Sequence, residues 1–152
     1  MKRIIGFSSE KGQSAVEFAL VLPLLLVLLL GIIEFGWFLN AKITITGAAR
    51  EGARHYAIHK NDTAGVENIV SNYLNPAIVS TSTVSATTAD STTTPIIKMA
   101  VVTVTGQVSG ITGAFNGLMA AFFGGEVFTG NKVIMTSTAS MRIEYSLSLA
   151  SP

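Results

Sequence analysis

The sequence predicts an α+β chain in which one long N-terminal transmembrane helix continues into a small extracytoplasmic domain, a short antiparallel β-sheet packed on helix. Three observations predict it. Residues 18–33 are sixteen consecutive positions without a charge. Ala49, Ala53 and Ala57 then recur at four-residue spacing, which sets small side chains along one helical face. Residues 133–149 switch to a period of two: Val133, Met135, Ala139, Met141 and Ile143 fall on odd positions, and mostly Thr, Ser, Arg142 and Glu144 on even ones.

Composition narrows the function classes. A chain of 152 residues holds one modest core. Ten Lys and Arg against nine Asp and Glu give a net charge of +1, without the basic excess that nucleic-acid binding needs. Charged residues are 12% of the chain, about half the usual share, and 49% are hydrophobic, which is too apolar for an ordinary soluble enzyme. The absence of cysteine removes disulfides, thiolate nucleophiles and cysteine-based metal sites. No cofactor and no small-molecule substrate are expected.

The first helix follows from length. From Glu17 to Leu39 an α-helix rises about 33 Å, enough to cross a hydrocarbon core of about 30 Å. Pro23 lies near its start, where a lost backbone N–H costs less than at mid-helix, and a mild kink is expected. Trp37, with Phe35 and Phe38, reads as an interfacial aromatic belt and sets Glu34 near the far headgroups as a membrane-interface residue. A cleaved secretory signal fits poorly, because the apolar run is too long and ends in Trp37-Phe38-Leu39-Asn40. Lys2, Arg3 and Lys11 before the span are matched by Lys42, Arg50 and Arg54 after it, so charge counting ties. A long C-terminal region translocates largely regardless of charge, which favours the N-terminus inside.

Beyond the membrane, residues 41–60 read as helix, with Gly47 and Gly52 as places to bend. Thr63–Leu74 reads as a second helix, after a turn at Asn61-Asp62 and stopped by Asn75-Pro76. Residues 77–86 alternate weakly, and ATTADSTTTP after them reads as a hairpin loop. Residues 96–108 form a β-branched apolar run suited to a central strand covered on both faces. Phe115, Leu118, Met119, Phe122 and Phe123 keep helical spacing up to a Gly124-Gly125 stop.

Candidate chemistry concentrates at the membrane entrance, residues 10–18, EKGQSAVEF. Glu17 sits at the edge of the apolar run, where an unpartnered carboxylate costs on the order of 2 to 3 kcal/mol. Cleavage between Gly12 and Gln13 would create an α-amine one helical turn from Glu17, on the same face. Paired with the amine of a neighbouring subunit, Glu17 would set the axial register of a helical assembly. The alternative is a glutamate simply tolerated at the headgroup level. Elsewhere, His55 and His59 have the spacing of helical zinc ligands and Glu51 could join them, but Tyr56 follows His55 where a zinc protease motif needs glutamate. An exposed polar helix face is the commoner explanation, and no metal site is expected. Gly106, Gly110, Gly113 and Gly117 lack the Gly-Lys-Ser/Thr of a phosphate loop. Arg142 and Glu144 share a strand face and read as structural.

Gly12-Gln13-Ser14-Ala15-Val16-Glu17-Phe18, followed by ALVLPLLLVLLLGIIEFG, resembles the N-terminus of TadE-like pseudopilins of the Flp (tight adherence) pilus system, a branch of the type IV pilin-like proteins. GAAREGARHYA at 47–57 and Ser140-Met141-Arg142-Ile143-Glu144 are similar to that family's post-membrane helix and closing strand. The resemblance is weak between about 60 and 130. It implies a pilin-like fold, with residues 1–12 as leader, 13–39 as transmembrane helix and 40–152 as the extracytoplasmic domain. It further implies cutting by a prepilin peptidase after Gly12, with Gly12 and Gln13 flanking the bond and Glu17 and Phe18 as recognition and assembly residues. The implied partners are that peptidase, other pilins or pseudopilins, the Tad assembly platform and membrane lipid. The implied location is the cytoplasmic (inner) membrane, in a single pass, with pilus association open. Gln13 departs from the aromatic residue many major pilins carry there, and an N-terminal glutamine can cyclise and lose its charge. Two other classes stay open: an unprocessed bitopic anchor or scaffold of an envelope secretion complex, and a small membrane enzyme using Glu51, His55 and His59.

Overall fold

The computed structural model of the protein describes residues 9–59, 62–90, 97–111, 113–124 and 132–143. Its elements run α1 (Ser9–Ile58), α2 (Thr63–Tyr73), β1 (Val79–Asp90), β2 (Lys98–Ser109), α3 (Ala114–Phe123) and β3 (Lys132–Arg142). The three strands form one antiparallel sheet in the order β1-β2-β3.

Helix α1 is fifty residues long, with Pro23 inside it and no interruption at Gly47 or Gly52. It rises about 75 Å. Its two halves differ in chemistry. From Val16 to Ile33 most large apolar side chains are exposed, among them Phe18, Leu20, Leu25 and Leu28. From Phe38 onward one stripe is buried: Ala41, Ile45, Ala48, Ala49, Ala53 and Ala57. That stripe packs on Ala100, Val102, Val104 and Val108 of β2 and on Val66, Val70 and Leu74 of the second helix. The expectation of a small-residue face for close packing is met. At Gly52 an added Cβ would meet Val102, Val66 and Val70, each at 3.2 Å, so helix, helix and strand converge on a position where a methyl group would crowd all three valines.

The ends of α2 follow the expected signals. Asp62 accepts the Gly65 N–H at 2.9 Å as N-cap, and Leu74 closes the last turn on the Val70 carbonyl. Asn75 then turns the chain, its side-chain oxygen accepting from the Ala77 N–H at 2.9 Å. Helix α3 ends at Gly124, which takes a left-handed φ of 72° as the glycine stop requires.

The sheet corrects three expectations. The central strand β2 is covered on one face only: its even positions from Ala100 to Val108 are buried under α1, while Met99, Val101, Thr103, Thr105 and Gln107 are half-buried on the other. The outer face is finished by hydroxyl pairs, Thr103 with Thr138 and Thr105 with Thr136, both at 3.0 Å. Residues 86–90, read as loop, continue β1, because pairing to β2 from Ala86↔Val102 to Asp90↔Lys98 outweighs a weak strand propensity. In β3 the odd positions Val133, Met135 and Ala139 pack toward the core as the alternation predicts, and Ile143 beyond it is buried. Met141 breaks the rule. It lies opposite Ala100 near the end of an edge strand and remains 39% exposed. Residues 144–149 of that predicted strand lie outside the described residues, as do Ile96 and Gly125.

Candidate functional site

The entrance motif lies in the first turns of α1. Gly12 is helical, and an added Cβ would meet nothing within 4 Å. Gln13 and Glu17, four residues apart, share a face: Gln13 Nε2 donates to Glu17 Oε1 at 3.1 Å on the exposed surface. Phe18 beside it is 64% exposed. Position 13 is therefore within reach of the Glu17 carboxylate, and no packing within the described chain hides Glu17 or Phe18 from a partner. Chemically the pair is an acceptor and an aromatic ring at the start of an apolar rod.

Glu34 and Trp37 sit one turn apart near the other end of the apolar segment, and the structure places them differently from an open headgroup-level face. Glu34 is 2% exposed. Trp37 is half-buried against the core, and its indole Nε1 donates to the Ser109 carbonyl at 3.0 Å. The physical reason is that the domain folds back along α1. At Gly31 an added Cβ would lie 3.2 Å from the Phe115 ring of α3. Phe35 and Leu39, on the other side of α1, are exposed. An interfacial role for Trp37 and Glu34 thus concerns a helix face already occupied by protein.

The polar cluster at the end of α1 is a structural clasp. With Asp62 ionised, His55 Nε2 donates to Asp62 Oδ2 at 2.9 Å, tying the last turn of α1 to the start of α2. That bond, and then the Gly65 N–H, hold the Asp62 carboxyl below its usual range. Glycine at position 65 leaves room for the clasp, since a Cβ there would displace both the Asp62 carboxylate and His55 Nε2. His59 stacks on His55 with centroids 4.4 Å apart, and Glu51 turns to Arg54 at 3.6 Å. Glu51, His55 and His59 are not brought together as ligands, and no group of three or more His, Cys, Asp or Glu that could hold a metal occurs among the described residues. Sequence reasoning missed Asp62 as the partner of His55. Its signal was present, because an Asp directly before Thr63 is a strong N-cap residue.

Two side-chain ties fix the sheet to the helix beyond apolar packing. Lys42 Nζ donates to the Thr136 carbonyl, and Ser137 donates to Thr46 Oγ1 at 3.1 Å while Thr46 donates to the Lys42 carbonyl at 2.8 Å.

No curated protein and no solved structure matches the chain. One family model does, and its span begins at Gly12, takes in Glu17, Phe18 and the apolar run, and ends within the alanine-lined part of α1. Over residues 12–54 the chain is similar to the TadE-like proteins.

Proposed function

We infer that the chain is a pseudopilin-type structural subunit acting in assembly of a Flp (Tad) pilus. It would be held in the inner membrane by a single pass of α1, with its N-terminus inside and its sheet domain outside. The observation that carries this reading is the coincidence of three limits on one helix. The family match runs over residues 12–54, the entrance motif occupies about the first two turns of that span, and α1 is long and apolar enough to cross a membrane.

Under this reading a prepilin peptidase cuts after Gly12, and residues 1–12 are the leader. Gln13 becomes the N-terminus. Its side-chain amide donates to Glu17 within the chain, which leaves its α-amine for the Glu17 of a neighbouring subunit. Phe18 packs on the neighbour's apolar segment. Other pseudopilins and the Tad platform are the partners, and membrane lipid surrounds the remaining surface of the span.

The test is processing. In cells with an active prepilin peptidase, the mature protein should begin at Gln13 and Gly12→Val should stay uncut, because a side chain at this position obstructs entry of the backbone into the protease, which glycine allows. The competing reading is an unprocessed bitopic anchor of an envelope complex, favoured by the Gln13–Glu17 bond, which satisfies Glu17 within the uncut helix. Mature protein retaining Lys2 at or near its N-terminus would establish that reading instead.

A further inference from the structure

Helix α3 is the part of the domain that this function does not use. Residues 99–125 contain no Lys, Arg, Asp or Glu; the nearest charges are Lys98 and Glu126. Within this stretch the chain leaves β2 at Ser109, level with Trp37, and turns along α1. Phe115 meets α1 at Gly31. Phe122, two helical turns later, shares an apolar groove with Ala19, Leu20, Pro23, Leu24 and Val27. Helix α3 therefore runs antiparallel to α1, from Gly31 back toward Pro23. On α1 these positions lie about 9 Å and about 21 Å below Trp37.

We propose that α3 is a membrane-dipping element, which enters the hydrocarbon beside α1 and sets its outward face, with Phe122, against lipid acyl chains. The proposal rests on α1 spanning the membrane. Given that, any element seated on residues 19–31 lies at bilayer depth. The chemistry fits. Ten residues are too short to cross but suit a re-entrant segment. Phe122 is 56% exposed, and Ala120 and Ala121 are exposed beside it. Asn116, the one polar side chain of the helix, is 8% exposed and turned into the protein. At its C-terminus the Gly124 N–H is closed on the Ala120 carbonyl at 3.2 Å, which lowers the cost of a helix end in a dry medium. The occupant of the groove is lipid because it is continuous with the exposed apolar flank of α1.

The chain has no native cysteine, so single nitroxide labels can be placed without background. Full-length protein carrying Phe122→Cys would be labelled and reconstituted in phosphatidylcholine–phosphatidylglycerol vesicles. Collision with oxygen, which concentrates in hydrocarbon, is compared with collision with a water-soluble nickel chelate. Leu28→Cys, 60% exposed on α1, serves as the lipid reference and Thr87→Cys on β1 as the aqueous one. The label at 122 should match Leu28, with oxygen favoured over nickel by tenfold or more. Nickel access at 122 like that at Thr87, with Leu28 still in lipid, overturns the dipping helix alone. Nickel access at Leu28 as well overturns the spanning reading with it. Exclusion of both reagents at 122 would mean that a second copy covers the groove, and would also overturn the proposal.

Discussion

The Trp37 indole and the Ser109 carbonyl, seventy-two residues apart, are joined by a 3.0 Å hydrogen bond that pins the end of the central strand to the long helix. The bond sits where α1 changes from apolar on all sides to apolar on one stripe. It fixes the height of the sheet domain on the helix.

Removing the donor should loosen that junction. Trp37→Phe keeps most of the ring but leaves the Ser109 carbonyl without its partner, at a cost of about 1 kcal/mol. Chemical denaturation of the detergent-solubilised protein measures it. A change below about 0.3 kcal/mol would show that water replaces the indole without loss.

The sheet offers a test of its two faces. Val104→Asp and Ile143→Asp place a carboxylate in the core and should unfold the domain, since several kcal/mol are lost against a total of about 5 to 15. Met141→Asp should be tolerated even though Met141 shares the odd register of β3. Circular dichroism separates them. Equal damage at 141 and 143 would contradict the exposed strand end.

Close approach of α1 to β2 depends on small side chains. Ala49→Leu should cost about 1 to 3 kcal/mol by overpacking, while Arg54→Leu, on the exposed face, should change stability by less than about 0.5 kcal/mol. Thermal unfolding of the two variants side by side is the measurement. Similar shifts would mean the alanine stripe does not set the spacing.

The His55–Asp62 clasp predicts an acid dependence. Asp62 has a lowered folded pKa, caused first by the His55 bond and then by the Gly65 N–H. Its stabilisation is therefore complete above the unfolded carboxylate value of about 3.9 and is lost as pH falls through the lower folded value. In Gly65→Ala the new Cβ forces the clasp open, and the Asp62 pKa should rise toward the ordinary range. Carboxyl chemical shifts followed against pH test this. An unchanged titration would show that the clasp does not control Asp62.

Much of this was legible because local rules and tertiary structure agree. Asp62, Asn75 and Gly124 mark helix ends by their own backbone chemistry, and the alanine repeat marks a buried stripe wherever it packs. The outer face of β2 was not legible, since Val101 and Met99 in an apolar run resemble buried residues. What finishes that face, Thr103 with Thr138 and Thr105 with Thr136, depends on strand register. The burial of Glu34 was hidden for a similar reason. Spacing along α1 gives its depth, but the folding of the Phe115 region onto Gly31 is a contact between segments more than eighty residues apart. At the entrance motif the i,i+4 spacing put position 13 on the face of Glu17, but the bond seen there comes from the Gln13 side-chain amide, whereas the sequence suggested only an α-amine released by cleavage.

The most direct test is Glu17→Leu, assayed in one strain for processed protein in the membrane fraction and for surface pili. Leucine removes the cost of the carboxylate in the membrane, so a passive glutamate would be replaced without harm. If Glu17 recruits and registers subunits, the variant inserts and is cut after Gly12, yet pili are absent. Wild-type piliation by fully processed Glu17→Leu protein would contradict the assembly role.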